Sequence, residues 1–404
     1  MSLTNEIFPL TGISAERAID VISSACNSPE TEILSLYDAY GRVLAEDITA
    51  ASDIPPFDRS PYDGYALISA DTANAPVTLK VLEEVSAGNV PSVTVISGTA
   101  VKILTGAPVP EGADAVVKYE DTDFTAESVT MLKAVLPGDI VPKGEDVRAG
   151  TVIARRGDEI TPSVAGNMAA QGIERLSVYK RPRIGIISTG NELINSGKGA
   201  IHDTNRVTLE AAIKRIGANP VFLGTAGDKY SEIERLIDFK RTDMIISTGG
   251  MGKSDHDFTL SAFENCGARL KIRNLDFRPG GAFAYLELER HGTAIPCVCL
   301  AGNPAAAMVT FFAMAQPCIR KLCGSADWRN ERVKAALTEG YGKSSPAARL
   351  IVGAINISSG KVMFQCSERG KGSVSSFDGA NALAIVPKGS PELDAGTEVD
   401  AYLI

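Results

Sequence analysis

Five carboxylates, Glu192, Asp203, Asp228, Asp255 and Asp257, follow apolar runs at points where a strand would hand over to a loop, and a sixth, Asp63, stands in a proline-rich loop. Hard carboxylate oxygens beside a phosphate seat are what Mg²⁺ takes, because the ion keeps several waters and bridges carboxylate to phosphate. The phosphate seat has its own signature. "IGIISTGNEL" at 184–193 and "MIISTGGMGKSDHD" at 244–257 both break an apolar run into Ser-Thr-Gly, and glycine lets the backbone turn sharply with its N–H groups outward. A third turn, "LAGNPAAA" at 300–307, sets Asn303 as the cap of a helix starting at Pro304, and a helix N-terminus is an anion seat. Cations within reach in sequence are Arg206, Lys253, Arg273 and Arg278. Competing readings stand beside these: Asp203 and Asp257 are equally helix caps, Arg206 a solvated helix residue and His202 an exposed loop histidine. His202, His256 and His291 form no triad or metal pattern.

The elements that must hold these residues change character along the chain. At 404 residues, with 44% hydrophobic and 22% charged content, the chain reads as two to four soluble globular domains. No apolar run reaches eighteen residues and "MSLTNEIFPL" has no signal-peptide pattern, so the expectation is a cytoplasmic protein with no membrane span. The net charge of −9 without a basic block argues against nucleic acid as a partner. The seven cysteines lack Cys-x-x-Cys spacing and read as buried, reduced thiols. Residues 14–26 predict a helix behind Ser14 burying Ala15, Ile19, Ile22 and Cys26, and 31–41 a second helix closed by Gly41. "ASDIPPFDRSPYDGYAL" predicts an ordered extended loop, and short β-rich runs from 76 to 135 a small β domain.

Between 182 and 325 buried strands ("RIGIIS", "PVFL", "DMIIS", "IPCVCL") alternate with helices, which predicts a doubly wound, mostly parallel α/β sheet. Ligands of such sheets sit beyond the carboxyl ends of the strands, where all three glycine turns fall. The last eighty residues return to short strands and predict a small β barrel. The expected fold class is therefore multidomain α/β plus β. Its domains are a split N-terminal helical and extended domain (1–50 and 140–178), an inserted β domain (51–139), a central α/β domain (179–326) and a C-terminal barrel (327–404).

Taken together, "GRVLAEDI", "DIPPFDRSPYDGYAL", "ILTGAPVPEGADAVVKYED", "KGEDVRAG", "ISTGNEL", "HDTNR", "STGGMGKSDHD" and "LAGNPAAA", in this order, resemble the MoeA family of molybdopterin molybdenumtransferases, which includes the E domain of gephyrin. The resemblance runs from about residue 14 to the C-terminus. It implies a homodimer that takes adenylated molybdopterin and molybdate and, with Mg²⁺, releases AMP and leaves molybdenum on the dithiolene. It implies a cleft between the molybdopterin-binding α/β domain of one subunit and N-terminal segments of the other. Asp63 and Thr105 would then reach the site across the dimer, with Asp146 nearby. Glu192, Asp228 and Asp257 would be the catalytic and metal-handling carboxylates. Thr189, Gly190, Asn205, Arg206, Gly249, Gly250, Arg278, Gly302, Asn303 and Pro304 would shape the pterin and phosphate pocket. Partners implied are a molybdopterin adenylyltransferase upstream and molybdoenzyme maturation proteins downstream.

The chain also departs from the family pattern. Where Lys-Pro-Gly-Lys-Pro is usual it has "RPGGA" at 278–282, where Leu-Pro-Gly-Asn-Pro is usual it has Ala301, and in "GGMGKSD" Gly252 and Ser254 are exchanged in kind. These changes motivate a second reading, a diverged paralog that binds molybdopterin without turnover. A third, a nucleotide pyrophosphatase of the CinA type, shares the Ser-Thr-Gly and Asp-Thr-Asn patterns but lacks "DIPPFDRSPYDGYA".

Overall fold

The computed structural model describes residues 9–27, 30–194, 199–251, 258–290, 292–342, 344, 347–358, 360–368 and 372–404. The chain divides into two compact units, one of residues 1–46, 156–160 and 175–404, the other of 47–155 and 161–174.

The first unit is built on a seven-stranded sheet. Its order is Leu10–Ile13, Arg269–Leu275, Ala284–Arg290, Thr293–Leu300, Met244–Thr248, Arg183–Thr189 and Asn219–Ala226. The last four run parallel to one another, and Ala284–Arg290 runs antiparallel to both its neighbours. Alternate residues face opposite sides. Ile184, Ile186, Met244, Ile246, Val298 and Leu300 pack with the helices Ala15–Ser24, Thr204–Arg215 and Pro304–Thr310. Ile187, Ile245, Cys297 and Cys299 pack with Phe258–Asn265 on the other side. Strands covered on both faces bury nearly every side chain, which is why they read as unbroken apolar runs.

Helix Ala15–Ser24 forms as expected, with Ser14 Oγ accepting from Arg17 N at 3.3 Å and Ala15, Ile19 and Ile22 buried. Its location differs from the expected 1–50 segment. Leu10–Ile13 joins the α/β sheet beside Arg269–Leu275, and Lys321 Nζ ties the helix end through Ser23 O at 2.6 Å. The second expected helix, 31–41, is a correction. Thr31–Ser35 is a strand paired antiparallel with Arg175–Tyr179, followed by a 3₁₀ turn at Leu36–Asp38. β-branched Thr31 and Ile33 favour the strand once a partner is present, and that partner lies some 140 residues away, beyond any local periodicity. Arg42 locks the ladder, its guanidinium donating to Glu32 and to Tyr179 O at 2.6 Å each. The strands at 269–275 and 284–290 went unread as well.

The barrel is a closed ring. Ala348–Ser358 pairs with both Lys361–Cys366 and Ala382–Val386, and the circuit runs on through Glu398–Leu403 and Arg332–Leu337 back to Lys361–Cys366. The helix entering it from Pro304 widens to a π turn at Phe311–Ala315. Pro317 follows and supplies no N–H to the ladder, a local cause for such a bulge.

The second unit carries a six-stranded sheet in the order Ala115–Lys118, Gly64–Leu67, Thr99–Ile103, Val77–Val85, Ser128–Met131 and Thr122–Phe124. Tyr65, Leu79, Val129 and Met131 fill one side, and Val85, Val101, Ile103 and Val116 the other. The helix Pro162–Ala170, capped by Thr161, belongs to this unit.

All seven cysteines are free thiols and only Cys266 and Cys366 are partly exposed. Burial pushes the Cys323 thiol up to about 12 and raises Cys266 and Cys366 as well. Native protein treated with iodoacetamide at pH 8 therefore labels at most those two positions, read by peptide mass spectrometry. Labelling of any of the other five before denaturation would contradict this packing.

Candidate functional site

The three glycine turns come together at the carboxyl ends of the parallel strands. Thr189 Oγ1 donates to Thr248 O at 3.0 Å, tying the two Ser-Thr-Gly stretches to each other. Gly249 N donates to Leu300 O at 3.2 Å and Gly190 N to Ala226 O at 3.0 Å. Gly249 and Gly250 have φ of 89° and 65°, a region L side chains avoid. A Cβ at Gly249 would overlap the Thr189 carbonyl oxygen, and one at Gly302 would touch Gly249 Cα at 3.4 Å. The turns thus meet at van der Waals contact and leave a backbone surface beyond the strands.

The helix N-termini complete the surface. Asn303 Oδ1 accepts from Ala306 N at 3.0 Å, with Pro304 in the first turn, as the sequence predicts. Its Nδ2 donates to Gly372 O at 3.1 Å, so a loop of the barrel is fastened to this cap. Asp203 caps Thr204–Arg215, accepting from Arg206 N at 2.9 Å, and Asn205 Nδ2 donates to Gly302 O at 2.9 Å. The capping reading of Asp203 is correct, yet its Oδ2 and the Asn205 Oδ1 are buried acceptors with no hydrogen-bond partner among the described residues. Unpaired buried acceptors cost free energy until a donor arrives. The Asp203 acceptor was missed because a capping role accounts for the residue in sequence.

Asn303→Ala removes the cap and the tie to the barrel loop together. The expected loss is about 1–2 kcal/mol from the cap alone, seen as a lower melting temperature. Asn303→Asp, which keeps the cap acceptor but loses the Gly372 contact, should recover most of it; equal losses in both would show that the cap is not what matters.

Glu192 is exposed and Asp228 half-buried; neither makes an ion pair with any described residue. The short helix Asn191–Ile194 that carries Glu192 and the loop of Asp228 are coupled through Asn191, whose Oδ1 accepts from Asp228 N at 3.1 Å. Asn191 also went unselected in the sequence, although it stands between Gly190 and Glu192. Asp257, with Gly252, Lys253, Ser254, Asp255 and His256, lies outside the described residues. Among the described residues no group of three or more His, Cys, Asp or Glu side chains is arranged to hold a metal. Glu192 and Asp228 are two hard donors of an expected set of three. Arg206 is otherwise engaged: its guanidinium stacks 3.5 Å from the Phe222 ring centre and donates to Glu210 at 2.9 Å. Arg278 is exposed, and His202 is an exposed loop residue.

In the second unit Asp63 and Thr105 are in direct contact. Asp63 Oδ1 accepts from Thr105 N at 2.7 Å and from Thr105 Oγ1 at 2.8 Å. The backbone N–H first, then the hydroxyl, hold the Asp63 carboxyl below the usual carboxylate range. A depressed folded pKa gives a contact that is complete above the unfolded value and lost as pH falls through the folded one, so the clasp is intact at neutral pH. Asp146 is exposed, its N–H bonded to Ile54 O at 3.0 Å.

Comparison with known proteins matches all three parts. Residues 13–172 match the MoeA N-terminal region (domain I and II), 185–321 the probable molybdopterin binding domain, and 334–404 the MoeA C-terminal region (domain IV). A Bacillus subtilis protein named molybdopterin molybdenumtransferase is 33% identical over 98% of this chain and 94% of its own. A Nostoc protein of the same name is 31% identical over 96% and 92%. The crystal structure of the molybdopterin biosynthesis moeA protein from Pyrococcus horikoshii superposes with a TM-score of 0.81 at 30% identity, covering 97% of this chain and all of that one.

Proposed function

Since the chain belongs to the MoeA family, an enzyme family of molybdenum cofactor biosynthesis, we propose that this molybdopterin molybdenumtransferase inserts molybdate into adenylated molybdopterin and releases AMP, with Mg²⁺, as a cytoplasmic homodimer. The observation that carries this reading is the meeting of the three glycine turns beside Asp203 Oδ2 and Asn205 Oδ1, both buried and unpaired among the described residues. Backbone N–H groups and a helix N-terminus suit an anion, and unpaired acceptors suit the N–H groups of a pterin. An acidic chain can then hold an anionic substrate without a basic patch.

Glu192 and Asp228 fit Mg²⁺ in donor chemistry, with Asp257 as the third expected donor. When bound, the ion supplies positive charge against the phosphoanhydride oxygens. The chain's own work is to seat the pterin on the turns around Gly249 and Gly302 and to orient the phosphates at the Pro304 helix. Asp63, held by Thr105, is offered as a fixed acceptor to the site of the partner subunit.

The test is AMP release by the purified protein from adenylated molybdopterin with Mg²⁺, with and without molybdate. Release that requires molybdate supports the transferase. Tight binding without release supports the non-catalytic paralog that Gly281, Ala282 and Ala301 motivate. ADP-ribose cleavage without any pterin would instead revive the nucleotide pyrophosphatase.

A further inference from the structure

Asp228 stands in a short loop, 227–229, between the strand Asn219–Ala226 and the five-residue helix Tyr230–Glu234. Among the described residues its carboxyl makes no hydrogen bond and no ion pair. Nothing holds the side chain at its own end, so its direction follows from the backbone that carries it. That backbone opens with Gly227, and glycine loses more conformational freedom on folding than any other residue.

Two side chains from outside the loop take its two leading N–H groups. Glu232 Oε2 accepts from Gly227 N at 3.0 Å and Asn191 Oδ1 from Asp228 N at 3.1 Å. Two consecutive peptide planes are therefore held from two different elements, the helix Tyr230–Glu234 that follows the loop and the helix Asn191–Ile194 from the neighbouring strand end. The approach is close. A Cβ at Gly227 would lie 2.8 Å from Asn191 Oδ1, 2.9 Å from Ile194 Cδ1 and 3.1 Å from Glu232 Oε2. Only glycine leaves both acceptors room.

Glu232 is the next acid after Asp228 in the chain, and charge alone would make it a candidate to hold a cation. Its hydrogen bonds give it other work. Oε2 is engaged by the Gly227 N–H, and Oε1 accepts from Lys229 Nζ at 3.1 Å. An amide oxygen could accept from Gly227 N as a carboxylate does, so what the loop needs at 232 is an acceptor rather than a charge. Asn191, which is uncharged, does the same work at Asp228.

The same contacts tie Asp228 to Glu192. Asn191 directly precedes Glu192, and Gly190 N donates to Ala226 O at 3.0 Å, one residue before Gly227. A Cβ at Gly190 would come within 2.5 Å of Glu192 Oε1, so the Glu192 carboxyl lies over this junction. Carboxylates carried by segments this close repel each other while no cation is present, and a stiff backbone is what keeps them together.

We propose that Asn191 and Glu232 are positioning residues, which hold the N–H groups of Asp228 and Gly227 so that the Asp228 carboxylate is prearranged with Glu192 for a divalent cation. The inference rests on the proposed function for the role of the two carboxylates and adds what sets them in place. Outer partners of this kind are typically worth about 10- to 100-fold in metal affinity.

Mn²⁺ binding to the intact protein without substrate, read by electron paramagnetic resonance, tests this apart from turnover. Asn191→Ala and Glu232→Ala should each weaken Mn²⁺ binding by about tenfold or more at an unchanged melting temperature, which separates positioning from folding. Asn191→Asp and Glu232→Gln keep an acceptor and should retain most of the affinity. Glu232→Gln decides even if an alanine variant does not fold: loss of Mn²⁺ there would make Glu232 a ligand and overturn the inference. Alanine variants that bind Mn²⁺ as the unaltered protein does, or an unaltered protein that binds none, would overturn it too. Mn²⁺ binding that depends on Asn191 and Glu232 in a protein that releases no AMP would instead remove the transferase reading and leave this one standing.

Discussion

Glu192→Gln and Asp228→Asn should each slow molybdate-dependent AMP release by about 10²- to 10³-fold, the usual effect of removing one preorganised electrostatic partner of a reacting phosphate. Neither change should disturb the fold. Glu192 is exposed and Asp228 half-buried, and neither forms an ion pair with any described residue. The bond that couples their segments runs from the Asp228 backbone N–H to Asn191 Oδ1, so the amide substitutions leave it in place. Stability should accordingly stay within roughly 0.5 kcal/mol, as for most surface substitutions. The loss should shrink as Mg²⁺ is raised, because a site with one carboxylate fewer binds the ion more weakly without changing what the bound ion does. Rapid-quench measurement of AMP at several Mg²⁺ concentrations reads both effects. Turnover unchanged in both variants would mean that these side chains are merely solvated and that the cation, if any, is held elsewhere.

What could be read in the sequence follows from the range of the forces involved. The strands at 183–189, 244–248 and 293–300 are covered on both faces, so each is an apolar run that declares itself without a partner. The Ser14, Asp203 and Asn303 caps were legible because a cap is decided within three residues. Thr31–Ser35 was not legible, because its ladder is made with Arg175–Tyr179 and nothing local records that pairing. The same holds for Leu10–Ile13, whose place in the α/β sheet depends on Arg269–Leu275.

In the candidate site the local motifs were visible and the long-range company was not. Gly249, Gly302 and Asn303 stood out by type, whereas their mutual contact and the tie from Asn303 to Gly372 needed the fold. Arg206 shows what only the fold adds: its place in "HDTNR" suggests a ligand, and the structure sets its guanidinium on the Phe222 ring with Nε donating to Glu210. Residue type and motif position identify who is available; only packing decides who is already engaged.

Gly249→Ala should do damage of a different kind, to structure and binding at once. With φ at 89°, any residue with a Cβ pays the left-handed penalty of about 1–2 kcal/mol, and the added methyl would also overlap Thr189 O and come 2.7 Å from Thr189 Oγ1. A carbonyl oxygen cannot rotate aside as a side chain can, so the turn itself must move. Thr189 Oγ1 would then lose its bond to Thr248 O, and the two Ser-Thr-Gly stretches would no longer hold each other in register. We expect at least about 2 kcal/mol of destabilisation and loss of molybdopterin binding. Gly302→Ala is the control, since its φ is ordinary and its nearest new contact is 3.4 Å from Gly249 Cα. That variant should keep its melting temperature, because a tolerated Gly→Ala change even gains about 0.4–1 kcal/mol from the stiffer unfolded chain. Its cost should appear only in ligand affinity, as a methyl group placed on the surface where the turns meet. Thermal melting and molybdopterin binding of the two variants side by side separate the roles: Gly249 is required for the turn to exist, Gly302 for a ligand to approach it. Equal behaviour of the two would mean that the convergence of the turns serves packing alone.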